Sequence, residues 1–144
     1  MKVVVQRSLE AKCVVDKVIT GKIDKGLMVL VGFYESDNEE TLEYMAKKIV
    51  NLRIFDDENG VMNKSVLDIG GDILSISQFT LYADTKKGNR PSYIRALRGE
   101  EAVILYDKFN EILKKYIHVE TGIFGSDMKI EFTNDGPVTI ILER

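Results

Sequence analysis

Residues 75–84 read SISQFTLYAD, Ser75 to Asp84, and the rest of the chain is best understood outward from them. The stretch opens as a strand. Ile73, Leu74 and Ile76 are apolar and mostly β-branched, and Gly70-Gly71-Asp72 supplies the turn that launches them. Ser77, Gln78 and Thr80 then interleave hydrogen-bonding side chains with Phe79, Leu81 and Tyr82. A strand that begins as core therefore ends in a polar cluster. Such groups need partners, because an unpaired buried one costs ~1–3 kcal/mol. Two readings meet that need: a sheet edge whose hydroxyls satisfy nearby backbone, or the lining of a site.

Upstream, Leu27 to Tyr34 (LMVLVGFY) is a continuous apolar run of strand length, expected to be covered on both faces. Met1 to Ser8 alternates as a first strand and Ala11 to Asp16 as a second. Gly21 and Gly26 punctuate a short connection anchored by Ile19 and Ile23. Ser36 to Phe55 predicts a helix: Ser36 and Glu39 have capping-box spacing, and Leu42, Met45, Ile49 and Leu52 form an apolar stripe. Asp56-Asp57-Glu58-Asn59-Gly60 reads as a solvated turn, its acids lacking the spacing of a calcium loop.

Downstream, Thr85 to Gly99 (TKKGNRPSYIRALRG) carries Lys86, Lys87, Arg90, Arg95 and Arg98 and no acid. A flexible basic loop suits phosphate contacts; the plainer reading is a solubilising surface. Glu100 to Tyr116 predicts a second helix with Ala102, Leu105, Tyr106, Phe109, Ile112, Leu113 and Tyr116 inward. Met128 to Thr133 alternates, Asn134-Asp135-Gly136-Pro137 turns, and Val138 to Leu142 closes the chain as a last strand. The expectation is one α+β domain over residues 1–144, mostly antiparallel sheet with two main helices on one face.

Composition narrows the chemistry. With 144 residues, 44% of them hydrophobic and 30% charged, the chain can bury a core without disulfides or metals. A net charge of -3 argues against a globally basic nucleic-acid binder while leaving room for a local patch. Cys13, the only cysteine, lies in an apolar run and reads as a buried thiol; a reducing cytoplasm is the expected setting. The first residues hold too short an apolar run for a signal peptide, and no later run approaches a membrane span. His118, the only histidine, reads as structural, sitting between Ile117 and Val119. The G-x-S-x-G elbow, the P-loop and G-x-G-x-x-G are absent, and one His with one Cys cannot build the usual zinc sites. No metal and no cofactor are expected. An enzyme built from these residues would lean on backbone, hydroxyls or its substrate.

Three stretches then stand together: SQFTLYADTKKGNRPS at 77–92, ETGIFGSDM at 120–128 and NDGPVT at 134–139. With the opening MKVVVQR and the segment KIVNLRIFDDENGVMNKSVLDIGG, they closely resemble the D-aminoacyl-tRNA deacylases, from Met1 to the last strand. That resemblance implies a cytosolic homodimer, joined through its sheets, that hydrolyses the ester between a D-amino acid and the 3′ end of tRNA. It implies that Ser77, Gln78, Phe79, Thr80 and Leu81 line the pocket for the amino acid and terminal adenosine. It further implies that Gly136-Pro137, with a cis bond, enters the partner's pocket and excludes an L-side chain. Arg7 would brace that dipeptide, while Phe124 and Met128 would line the same pocket. The family's attack is aided by the ribose 2′-hydroxyl of the tRNA. Lys86, Lys87 and Arg90 are the expected tRNA contacts. Rival readings are a non-catalytic RNA-binding protein using the basic loop and a hydrolase whose nucleophile is Thr80.

Overall fold

The computed structural model describes residues 1–144. Its spine is β1, Lys2–Val15, in which Val3 and Val5, and further on Ala11, Cys13 and Val15, are buried. The sequence reading divides this stretch into two strands. The structure carries one strand through, and the apparent gap is a change of face. Arg7 and Ser8 are both buried and Leu9 and Glu10 both exposed, so the alternation slips by one. Val3 and Val5 consequently point into one apolar layer, while Ala11, Cys13 and Val15 point into another.

One edge of β1 pairs antiparallel with β2 (Val18–Ile23) and β3 (Gly26–Gly32), and the other with β8 (Lys129–Glu143). Beyond β3 the sheet continues in parallel, first to β6 (Asp72–Ser77) and then to β7 (Val119–Thr121). A small antiparallel pair, β4 (Phe55–Asp56) and β5 (Met62–Lys64), flanks the acidic turn. The main sheet is therefore mixed, and its two ends approach each other. A Cβ placed on Gly21 of β2 would stand 2.6 Å from the Thr121 carbonyl oxygen of β7, giving a barrel-like curl.

Three boundaries differ from the sequence reading. The segment around Gly21 is a strand rather than a connection, because Val18–Ile23 folds back to pair with Ala11–Val15 of β1; Ile19 is 54% exposed and anchors nothing, whereas Ile23 is buried. The first helix, α1, spans Glu39–Val50, and Asn38 caps it by accepting from the Thr41 amide at 3.1 Å, so the Ser36 box does not form. Residues 129–143 form one strand, with the Asn134–Pro137 segment as a bulge inside it: Gln6 and Ser8 of β1 oppose Thr139 and Asn134 of β8.

Both helices cover one face. Leu42, Met45, Ala46, Ile49 and Val50 of α1 meet Ala102, Tyr106, Phe109, Ile112 and Leu113 of α2 (Gly99–Lys114) over Val3, Val5, Leu27, Val29, Val31 and Ile73. Tyr116 lies past the end of α2 and is exposed, leaving the buried stripe it was expected to extend. The second layer, inside the curl, holds Cys13, Met28, Leu74 and Ile76. Leu27 to Val31 alternates between two apolar layers, which explains its unbroken hydrophobicity. No helix is long and apolar enough to cross a membrane.

Candidate active site

The organising strand stops at Ser77. The Gln78 amide donates to the Val31 carbonyl at 2.7 Å, and Phe79–Tyr82 then coils into a single 3₁₀ turn. Leu81 donates to the Gln78 carbonyl at 3.3 Å and Ala83 to that of Thr80 at 3.0 Å. Phe79 and Thr80 thus open the turn, where a helical segment leaves its first amides without partners of its own. Gly32, at the end of β3, lets the turn sit close: a Cβ there would lie 3.0 Å from the Gln78 carbonyl oxygen and 3.2 Å from the Leu81 Cβ. Thr80 Oγ1 accepts from Gln78 Nε2 at 2.5 Å, and no histidine or carboxylate contacts it.

Beside this turn lies a groove of about 820 Å³, within the size range of small-molecule sites. Ser77, Gln78 and Phe79 form one part of its wall, Phe124 and Met128 another, and Leu97 with Arg98 the rim. Phe79 is 54% exposed and meets Tyr93 edge-on, ring centroids 5.1 Å apart. Among the lining residues only Arg98 and Asp127 are charged, and Asp127 is held by Lys129 Nζ at 2.8 Å. Neither the wall nor the rim contains a side chain of ordinary general-base chemistry beyond that tied carboxylate.

The structure therefore brings Ser77, Gln78, Phe79, Phe124 and Met128 to one groove. Thr80 and Leu81 are in the same turn but outside the lining. Arg7, Gly136 and Pro137 stand elsewhere on the molecule. Arg7 is 8% exposed; its Nε donates to the Asp135 carbonyl at 3.2 Å and its Nη1 to the Ile54 carbonyl at 2.9 Å. The Asp135 and Asp56 carboxylates complete its surroundings at 3.2 and 3.4 Å. Gly136-Pro137 is a cis peptide on the exposed crest of the β8 bulge. Gly136 has φ +120°, and an added Cβ would come 2.8 Å from Val138 Cγ2 and 3.1 Å from Arg7 Nη2.

Lys86, Lys87 and Arg90 are exposed on a loop whose base is closed by paired amides between Asp84 and Ser92, at 2.8 and 2.9 Å. None of the three forms an ion pair, whereas Lys12, Lys22, Lys64, Lys108 and Lys129 each do. Arg95 lies over the Tyr34 ring at 5.8 Å. The rim residues Tyr93, Ile94, Leu97 and Arg98 were not singled out as groove residues from sequence. The apolar pair Leu97 and Phe33 is what places them, through a 3.0 Å bond from the Leu97 amide to the Phe33 carbonyl. Nothing local in the sequence marks that long-range pairing.

A family model described as D-Tyr-tRNA(Tyr) deacylase matches residues 4–143. A D-aminoacyl-tRNA deacylase of Clostridium botulinum (strain Langeland / NCTC 10281 / Type F) is 58% identical over 144 residues, covering 99% of this chain and 97% of that protein. The D-aminoacyl-tRNA deacylase of Bacillus velezensis (strain DSM 23117 / BGSC 10A6 / LMG 26770 / FZB42) is 55% identical over 99% and 98% of the two chains. A solved structure of a c-Myc DNA Unwinding Element Binding Protein superposes with a TM-score of 0.95 at 42% identity, covering 100% of this chain and 99% of that one. With a single model and such relatives spanning nearly its whole length, the chain belongs to the D-Tyr-tRNA(Tyr) deacylase family.

Proposed function

We propose that this protein is a D-aminoacyl-tRNA deacylase that hydrolyses the ester between a D-amino acid and the 3′ end of tRNA, releasing both. The full-length match to a family and relatives of that activity carries the reading. The groove supports it chemically. The turn beside it begins with the backbone amides of Phe79, which lines the groove, and Thr80, which adjoins it, in place of an acid–base pair, and this suits polarisation of an ester carbonyl by an oxyanion site. The 2′-hydroxyl of the terminal ribose then supplies help with the attack that side chains do not. Phe124 and Met128 face the amino acid, and Lys86, Lys87 and Arg90 hold the tRNA backbone.

The working unit in this reading is a cytoplasmic homodimer. Gly136 and Pro137 are exposed and lie outside the groove of their own chain, so they are free to enter a partner's. No residue of β8 is fully buried, and Ile141 is 67% exposed, which leaves apolar surface for a second copy. Carbonyls at the crest would clash with an L-side chain and pass a D-one. Glycine has no side chain to reject, so glycyl-tRNA is cleared as well. Incubating the protein with D-Tyr-tRNA and L-Tyr-tRNA and following free amino acid tests the assignment. Release of the D form alone is expected. Retention of both tRNAs without hydrolysis would make it a binding protein instead.

A further inference from the structure

β6 and β7 run in register through Ile73–Val119, Leu74–Glu120 and Ser75–Thr121, and no further. The Ile73 amide donates to the His118 carbonyl at 3.1 Å, so Ile73 turns its backbone groups toward β7. Bonding direction alternates along a strand, so the Ser75 carbonyl faces that edge too. Past Thr121 the chain leaves the sheet through Gly122 and reaches Phe124, which lines the groove together with Ser77. Ser75 is where the ladder ends.

Tyr106 of α2 occupies that point. Its hydroxyl donates to the Ser75 carbonyl at 2.7 Å in a buried bond, and its ring meets that of Phe124 with centroids 5.8 Å apart. Tyr106 is 3% exposed, and burial pushes its phenol up to about 12, so it remains a donor through the neutral range. One side chain from the helix layer therefore touches two parts of the groove's surroundings: the strand that delivers Ser77 and Gln78, and the Phe124 ring.

We propose that Tyr106 is a positioning residue for the deacylation site, holding β6 through Ser75 and seating Phe124, and so fixing the width of the groove. The proposal rests on the groove being the seat of the aminoacyl end. Ser75 is two residues from Ser77 and four from Phe79, so a lateral shift of its carbonyl is passed directly to the turn. A displacement of about 1 Å in a reacting geometry can cost up to ~10²-fold in rate.

The test is Tyr106→Phe in the full chain, which keeps the ring and removes the hydroxyl. Steady-state hydrolysis of D-Tyr-tRNA should show kcat reduced about tenfold, with KM changed less than about twofold because tRNA is gripped on the basic loop, whose cations lie outside the groove lining. A thermal melt checks that the variant is folded at the assay temperature. Phe124→Leu and the double variant complete a cycle: if both residues set one gap, the combined loss is smaller than the product of the single losses. A folded Tyr106→Phe with wild-type kcat, or losses that multiply independently, overturns the proposal, since a merely structural tyrosine would lower the melting temperature and leave kcat alone. An inactive wild-type protein overturns the deacylase reading and this proposal with it. An active wild type with an equally fast Tyr106→Phe removes only the positioning role.

Discussion

The Nε of Arg7 lies 3.2 Å from the carbonyl oxygen of Asp135, so a side chain from β1 holds the β8 backbone one residue before Gly136. The same guanidinium bonds the Ile54 carbonyl at 2.9 Å, tying the bulge to the chain beyond α1. Arg7→Met would leave two carbonyls without their donor, at ~1–3 kcal/mol for each group that stays buried. Urea unfolding should show a loss of at least about 1 kcal/mol, and deacylation should fall further than the folded fraction accounts for. A variant as stable and as fast as wild type would show that the bulge holds its own shape.

Gly136→Ala addresses the crest itself. Its φ of +120° disfavours any side chain, and the new methyl would meet Val138 Cγ2 at 2.8 Å and the Val138 nitrogen at 3.0 Å. Strain of this kind costs roughly 1–3 kcal/mol. D-Tyr-tRNA hydrolysis is expected to drop at least about tenfold in a protein that still folds, a tenfold change corresponding to about 1.4 kcal/mol. Unchanged turnover in the deacylation assay would dissociate the crest from the reaction.

Thr80→Ala should retain substantial activity, because Thr80 Oγ1 bonds Gln78 and has no base beside it. A tRNA ending in 2′-deoxyadenosine should be cleaved poorly by the same enzyme. A loss on the order of ~10⁴-fold in Thr80→Ala, the size seen for triad members, would instead identify the hydroxyl as the nucleophile.

Neutralising Lys86, Lys87 and Arg90 together should weaken binding to every tRNA alike. Plotted as log affinity against log salt, the slope should flatten by ~0.7–0.9 for each phosphate that is no longer neutralised. The D/L ratio should not move, since these side chains are outside the groove lining. A slope identical to that of wild type would mark the loop as solvated surface.

Stability in acid should depend on two carboxylates in the segment between the helices. Asp57 is held below its usual 3.8 chiefly by accepting from the Val61 and Asn59 amides, and Asp68 by the Ser65 amide and hydroxyl. Both folded values lie below the unfolded one, so the stabilisation is complete above about pH 4 and disappears as pH falls through the folded values. Thermal melts stepped from pH 5 down to about 2 should fall less steeply for the Asp57→Asn, Asp68→Asn double variant. Parallel curves would remove both groups from the acid transition.

How far the sequence could be read depended on the range of the interaction concerned. The buried run Leu27 to Val31, the stripes of α1 and α2 and the arrest of the sheet near Ser77 are local patterns, and each was legible. Asn38 displaced Ser36 as helix cap because Asp37, beside it, is drawn to the Tyr34 amide at 2.8 Å and to the Met1 amino group at 2.5 Å. The unity of β1 and of β8 was hidden for a related reason. Each interruption, at Leu9-Glu10 and at Asp135–Pro137, is a shift in their mutual register, which neither segment displays alone. In the groove, the SQFTL wall announced itself by its polar residues, whereas the Tyr93–Arg98 rim depends on Leu97 finding Phe33.

The pairing of β1 with β8 also bears on how the protein is made. Lys2 is opposite Glu143 and Val14 opposite Lys129, so an entire edge of the earliest strand waits for the latest one. During synthesis β1, β2, β3 and the helices can assemble first, but that edge stays bare until β8 itself has been made. Pairings so distant along the chain are slow to form, and an unpaired edge is a template for the wrong neighbour in the meantime. Truncation inside β8 should accordingly yield aggregates in place of a smaller soluble domain.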